Sequence, residues 1–197
     1  MTAELGTALT IGAARYVTQG IAAEDFDEIV RQHQRRVYRV LFLLLRDSDA
    51  ADTLTQECFV RAYQKRSSFR GESRIDTWLL RIAVNLARDH ARNRRAGFWR
   101  RLIGLEEAAA GDRPIRFADP QASPERALLA RRELEAVWAA AAELSCQQRA
   151  IFLLRFGEEL SLQEISEVLG LKIGSVKAHL FRATATVRRK LKEQQWR

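Results

Sequence analysis

SLQEISEVLGLKIGSVKAHLFRA, residues 161–183, holds two helix patterns and the turn between them. Ser161 and Glu164 stand in the spacing of a capping box, the Ser accepting from a backbone N–H inside the helix and the Glu reaching back to the cap. Leu162, Ile165 and Leu169 follow at helical period and form a buried side. Gly170 sits where a helix end needs left-handed backbone. After the turn Gly170-Leu171-Lys172 a second helix places Ile173, Val176, Leu180, Ala183, Val187 and Leu191 on one stripe. That spacing is a helix-turn-helix, with the second helix placed to enter a major groove.

The other side of this second helix carries Lys177, Ala178, Phe181, Arg182, Ala185, Arg188 and Arg189. Lys177 and Arg182 can donate to guanine or phosphate, Ala178 permits close approach, and Phe181 suits a thymine methyl. Between Lys172 and Arg197 there are eight Lys or Arg and one acid, Glu193, which fits contact with phosphates.

A second unusual helix lies upstream in SFRGESRIDTWLLRIAVNLARDHARNRR, residues 68–95. Ser73 and Asp76 mark a helix start near Arg74. Ile75, Leu79, Ile82 and Leu86 share one stripe, and Trp78, Arg81, Asn85, Arg88 and Arg92 share another. From Arg88 to Arg101 there are six Arg and one acid, Asp89, and the stripe begins beside a loop with Phe69 and Arg70. Cations neutralise phosphates, exposed aromatics stack on unpaired bases, and Asn offers directed hydrogen bonds to a base edge. The combination predicts a surface for single-stranded nucleic acid.

The remaining chain also reads helical. Phe26, Ile29, Val30, Val37, Val40, Leu41 and Leu44 mark a helix over about 25–45, which RDSDAAD breaks. Leu54, Cys58, Phe59 and Ala62 mark another over about 53–66. Between Gly97 and Pro124 the periodicity fades and Gly and Pro collect, which reads as a linker. Ser123 as N-cap and Pro124 at the first helical position restart the helix. No βαβ alternation or strand run with turn chemistry is present. The fold class expected is all-α, with two small helical domains joined by a flexible linker, the C-terminal one containing the helix-turn-helix.

The 197 residues suit one large domain or two small ones. The net charge of +8 favours a polyanionic partner. The apolar run VLFLLL at 40–45 ends at Arg46 and is too short to span a bilayer. The N-terminus lacks the pattern of a secretory signal, so a cytoplasmic protein is expected. Cys58 and Cys146 are far apart, with no CxxC pair or nearby His, which argues against a disulfide framework or zinc site; both read as buried thiols. His33, His90 and His179 are scattered, with no paired nucleophile and base, so an enzyme, a cofactor or a metal is not expected.

Two blocks in fixed order, TQECFVRAYQKRSSFRGESRIDTWLLRIAVNLARD and LSCQQRAIFLLRFGEELSLQEISEVLGLKIGSVKAHLFRA, resemble the second and fourth conserved regions of the extracytoplasmic-function sigma factors, the two-domain members of the sigma-70 family of bacterial RNA polymerase. The resemblance implies region 2 over 25–98, a linker over 99–122 that threads toward the polymerase active-site channel, and region 4 over 123–197. Residues 1–24 have no counterpart and receive no role.

By the same resemblance, Leu54, Gln56 and Glu57 bind the clamp of the polymerase's largest subunit. Region 4 meets the flap of the second-largest. Ser68, Phe69, Arg70 and Asn85 capture a base flipped from the non-template strand of the −10 element, with Trp78, Arg81, Arg88 and Arg92 holding the melted strand. Ser175, Lys177, Ala178, His179, Phe181 and Arg182 read the −35 element as duplex. An anti-sigma factor is a further partner that the resemblance implies; a small-molecule substrate is not. Thr53, Ser145, Lys172 and His179 depart from the family's usual residues.

An ordinary regulator using the same C-terminal motif would need a ligand or phosphoacceptor domain at the N-terminus, for which 67–101 is a poor fit. A helical RNA-binding protein is the other competing class. Promoter-directed initiation with core polymerase separates these from a sigma factor.

Overall fold

A computed structural model describes the backbone of residues 20–102 and 124–195, with side chains over 20–93 and 132–193. Among the described residues every regular element is helical. The chain divides into two compact units.

The first unit contains α1 (Phe26–Leu45), α2 (Ser48–Gln64), a 3-10 turn at Arg66–Ser68 and α3 (Ile75–Leu102). Each of the three helices packs on the other two. α1 begins where periodicity predicted, with Asp27 and Glu28 favouring its positive end. Its corner with α2 takes only two residues. Arg46 adopts left-handed backbone (φ 58°) and donates its N–H to Phe42. Asp47 is extended, and its carboxylate accepts from the N–H groups of Asp49 (3.1 Å) and Ala50 (3.0 Å). The expected break over RDSDAAD therefore shrinks, and α2 starts five residues before the predicted Thr53, because one capping carboxylate recruits 48–52 into its first turns.

Val37, Val40, Leu41, Cys58, Leu79 and Leu80 are fully buried in this unit. Each such aliphatic side chain contributes about 1.5–3 kcal/mol through burial. The Cys58 thiol lies 3.6 Å from the Leu79 carbonyl, and burial pushes its pKa up to about 12. Asp76, in the first turn of α3, ties that helix to α1 through Arg36 at 2.7 Å and also meets Arg74 at 3.2 Å. Burial raises the Asp76 carboxyl's pKa, but Arg74, Arg36 and the Thr77 N–H outweigh it and hold the group below its ordinary 3.8.

The second unit contains α4 (Pro124–Ala142), α5 (Cys146–Phe156), α6 (Leu162–Leu169) and α7 (Ile173–Gln195). α7 packs on α4 and α5. Pro124 does open its helix; Ser123, its expected cap, and the body of the predicted linker lie outside the described residues. Ser145 forms a capping box with Gln148, and Ser161 the predicted one with Glu164. Arg149 donates to the Ala141 carbonyl at 3.0 Å, satisfying an end of α4. Gly170 has φ 65°, as the turn required.

Cys146 is exposed, not buried, because as the first residue of α5 it follows the exposed Ser145 cap directly. Ile173, expected on the buried stripe, is 41% exposed, since it opens α7 and no earlier turn of that helix shares its cover.

Candidate nucleic-acid interface

On α3 the buried apolar positions among the described residues are Leu79, Leu80, Ala83, Val84, Leu86 and Ala87. At 100° per residue they cover an arc of about 160°. Arg81, Asn85, Arg88 and Arg92 are all exposed and fall within a stripe about 60° wide on the opposite side. Trp78 stands at the edge of that stripe, half-buried against the core. Arg92 also pairs with Asp89 at 3.0 Å, both side chains being largely in water, so the pair leaves Arg92 available to a stronger anion.

The loop ahead of α3 is built around Phe69. Its ring is only 6% exposed, belongs to the core cluster and lies 5.1 Å from the Trp78 ring at an interplanar angle of 49°. Phe69 was expected in the strand-contacting set; the ring instead faces inward and holds the loop against α3. Ser68 and Arg70, its neighbours, are exposed. The Ser68 hydroxyl donates to the Lys65 carbonyl at 2.7 Å, which closes the 3-10 turn. The Phe69–Trp78 contact thus brings Ser68 and Arg70 to the first turns of α3. Asn85 lies seven residues beyond Trp78, about 10 Å further along the axis.

On α2, Gln56 is exposed and Glu57 is half-buried and ion-paired with Arg61. Leu54, expected to touch a protein partner, is 6% exposed and part of the core, so it supports that surface from beneath. Sequence reasoning missed two side chains on this helix. Val60 is 56% and Tyr63 42% exposed, and with Gln56 they follow i, i+4, i+7 spacing on one face. That spacing was visible in the sequence, since both fall off the stripe of Leu54, Cys58, Phe59 and Ala62. Exposed apolar side chains grouped on one helix face suit a protein contact.

α7 shows the reverse proportions to α3. Among its described residues only Val176, Ala183 and Val187 are buried, an arc of about 40°. Ser175, Lys177, Ala178, Phe181, Arg182, Ala185, Arg188 and Arg189 are exposed over about 160°. Phe181 is 77% exposed, the off-stripe placement predicted for it. His179 is half-buried, its Nδ1 enclosed without a hydrogen-bond partner. A protruding basic helix behind a tight Gly turn has the form that inserts into a duplex groove.

Among the described residues no group of His, Cys, Asp and Glu could hold a metal ion, and no helix is long and apolar enough to cross a membrane.

A three-helix unit with an exposed Arg/Asn stripe, followed by a helix-turn-helix unit, has the form of a helical nucleic-acid-binding protein. The comparisons make the class specific. Residues 29–97 match the model of Sigma-70 region 2, and 134–187 that of Sigma-70 region 4. The RNA polymerase sigma-H factor of Pseudomonas aeruginosa is 34% identical over 165 residues, covering 82% of this chain and 83% of that one. The ECF RNA polymerase sigma-E factor of Haemophilus influenzae is 32% identical over 168 residues, covering 84% and 87%.

The fold is that of the sigma factor RpoE, solved with the anti-sigma factor NepR from Bartonella quintana (TM-score 0.64, 21% identity, 86% of this chain and 98% of that one). It is also that of CnrH, solved with the cytosolic domain of CnrY (TM-score 0.62, 22% identity, 93% and 96%). The chain belongs to the extracytoplasmic-function group of the sigma-70 family, and as a sigma factor it works with RNA polymerase in transcription initiation. Its relatives are regulatory transcription factors rather than enzymes.

Proposed function

We propose that this sigma factor brings core polymerase to promoters by gripping two elements in different states. α7 reads the −35 element as duplex through Ser175, Lys177, Ala178, Phe181 and Arg182, with His179 beside them. The stripe of α3 holds the non-template strand of the −10 element after it parts, with Arg81, Arg88 and Arg92 on phosphates and Trp78 at the upstream edge. Ser68, Arg70 and Asn85 receive a flipped base, and Phe69 supports them from below. Extruding a base costs a few kcal/mol, offset by contacts in such a pocket.

Clamp binding uses the α2 face of Gln56, Glu57, Val60 and Tyr63, with Leu54 beneath, and the second unit meets the flap. The protein acts in the cytosol without a cofactor. The fold neighbour RpoE was solved with the anti-sigma factor NepR bound, which supports control of this chain by an anti-sigma factor as well.

The observation that carries the reading is the α3 stripe, where Arg81, Asn85, Arg88 and Arg92 are exposed together on the side away from the buried apolar residues. Asn85→Ala tests it. Open-complex formation is expected to fall on a duplex promoter while affinity for core polymerase is unchanged; normal opening by the variant would remove the pocket.

A further inference from the structure

The segment just before α1 has no part in the reading above, yet it touches the turn that leads into the strand-contacting loop. Gly20 has φ +77°, and a Cβ built on it would lie 2.7 Å from the Ser67 carbonyl oxygen, 2.8 Å from Ser67 Cα and 3.0 Å from the Arg66 carbonyl oxygen. These are backbone atoms, so no rotamer change relieves the overlap. Ile21 donates its N–H to the Arg66 carbonyl at 3.0 Å, and its side chain, 3% exposed, enters the same core cluster as Phe69.

That carbonyl has two donors. It also accepts the Phe69 N–H at 3.3 Å, the bond that ends the 3-10 turn. A single 3-10 turn has poor hydrogen-bond geometry and little stability of its own. Beyond its bonds to the end of α2, its position is set by the Phe69 ring on one side and the Gly20–Ile21 backbone on the other. Exposed Ser68 and Arg70 flank Phe69 and move with it.

We infer that Gly20 and Ile21 form a strap that fixes the Arg66–Ser68 turn and so presets Ser68 and Arg70 for the unpaired strand. They are positioning residues, acting through the loop without touching DNA. Any side chain at Gly20 pushes the strap off Ser67, lengthens the Ile21–Arg66 bond and leaves the loop to be ordered at the moment of binding, which weakens binding. The inference rests on the proposed role of the loop.

The test uses the full chain with core polymerase and measures three affinities: for core, for an unpaired −10 strand and for a −35 duplex. Gly20→Ala and Gly20→Asn are each expected to weaken strand binding about tenfold, leaving the other two affinities within about twofold. Asn tolerates positive φ better than Ala, so equal losses assign the effect to the close approach. Ile21→Ala, which adds no clash, is expected to give a smaller loss of the same kind, and Ile21→Val none.

Arg70→Ala separates the two ideas. If Arg70→Ala weakens strand binding but the Gly20 variants bind normally, the strap is overturned and the loop reading stands. If Arg70→Ala binds normally, the loop reading falls and takes the strap with it. Equal loss of all three affinities in the Gly20 variants and Ile21→Ala would reduce the strap to general stability and overturn the inference.

Discussion

α3 and α7 are both long helices with basic outer faces, but they divide their circumference in opposite ways. Over the described residues, α3 buries apolar side chains across about 160° and gathers its exposed arginines and Asn85 into about 60°, whereas α7 buries about 40° and is exposed over about 160°. The difference matches what each is proposed to hold. An unpaired strand is flexible, so the surface that receives it gains from rigid backing that spares ordering cost on binding. A duplex is already rigid, and a helix reaches its base edges only by standing clear of its own domain.

The strongest way to break this contrast is to take the backing away from α3. Phe69→Ala removes a ring packed on Trp78 and is expected to cost the first unit about 3–5 kcal/mol, read as faster amide exchange in α1, α2 and α3. Binding of the unpaired strand should fall with it, while −35 duplex binding by the intact chain should not. Equal damage to both would show that the units do not divide the work.

Next in size is the loss of a single groove contact. Arg182→Ala is expected to weaken −35 duplex binding by about 1–3 kcal/mol, measured by titration of a labelled duplex, with strand binding unaffected. Phe181→Ala sharpens the point because its ring is in water: thermal stability should stay within about 0.5 kcal/mol, yet duplex binding should drop. A stability loss there would mean that the ring belongs to the fold.

The smallest effect is confined to acid. The Asp76 pKa is lower in the folded unit than in the unfolded chain, so its ion pairs stabilise the unit fully above the ordinary value of 3.8. That contribution is lost as pH falls through the lower folded value. Denaturation below pH 4 should therefore lose a component in Asp76→Asn, which has no such titration, and a wild-type acid slope in the variant would exclude this pair as its source.

Much of this organisation could be read before any coordinates. α1 begins one residue from its predicted start, both ends of α6 follow their capping rules, and the exposed stripe of α3 is the one that periodicity separated. Other features could not. Phe69 looks like a surface residue from its loop position and is core. Val60 and Tyr63 were given no role, and both are exposed. Gly20 and Ile21 had no pattern at all, since their partner, Arg66, is 45 residues away in sequence.

What the amino-acid order determined by itself is local: where helices start and stop, and which side chains share an angle on each of them. Those properties arise from 100° periodicity and from hydrogen bonds spanning a few residues. The tertiary structure alone decided how wide an arc of each helix is covered, which loop ring turns inward, and which distant backbone braces the loop. Coverage depends on the neighbours a helix meets, and contacts between residues far apart in the chain leave no periodic trace in it.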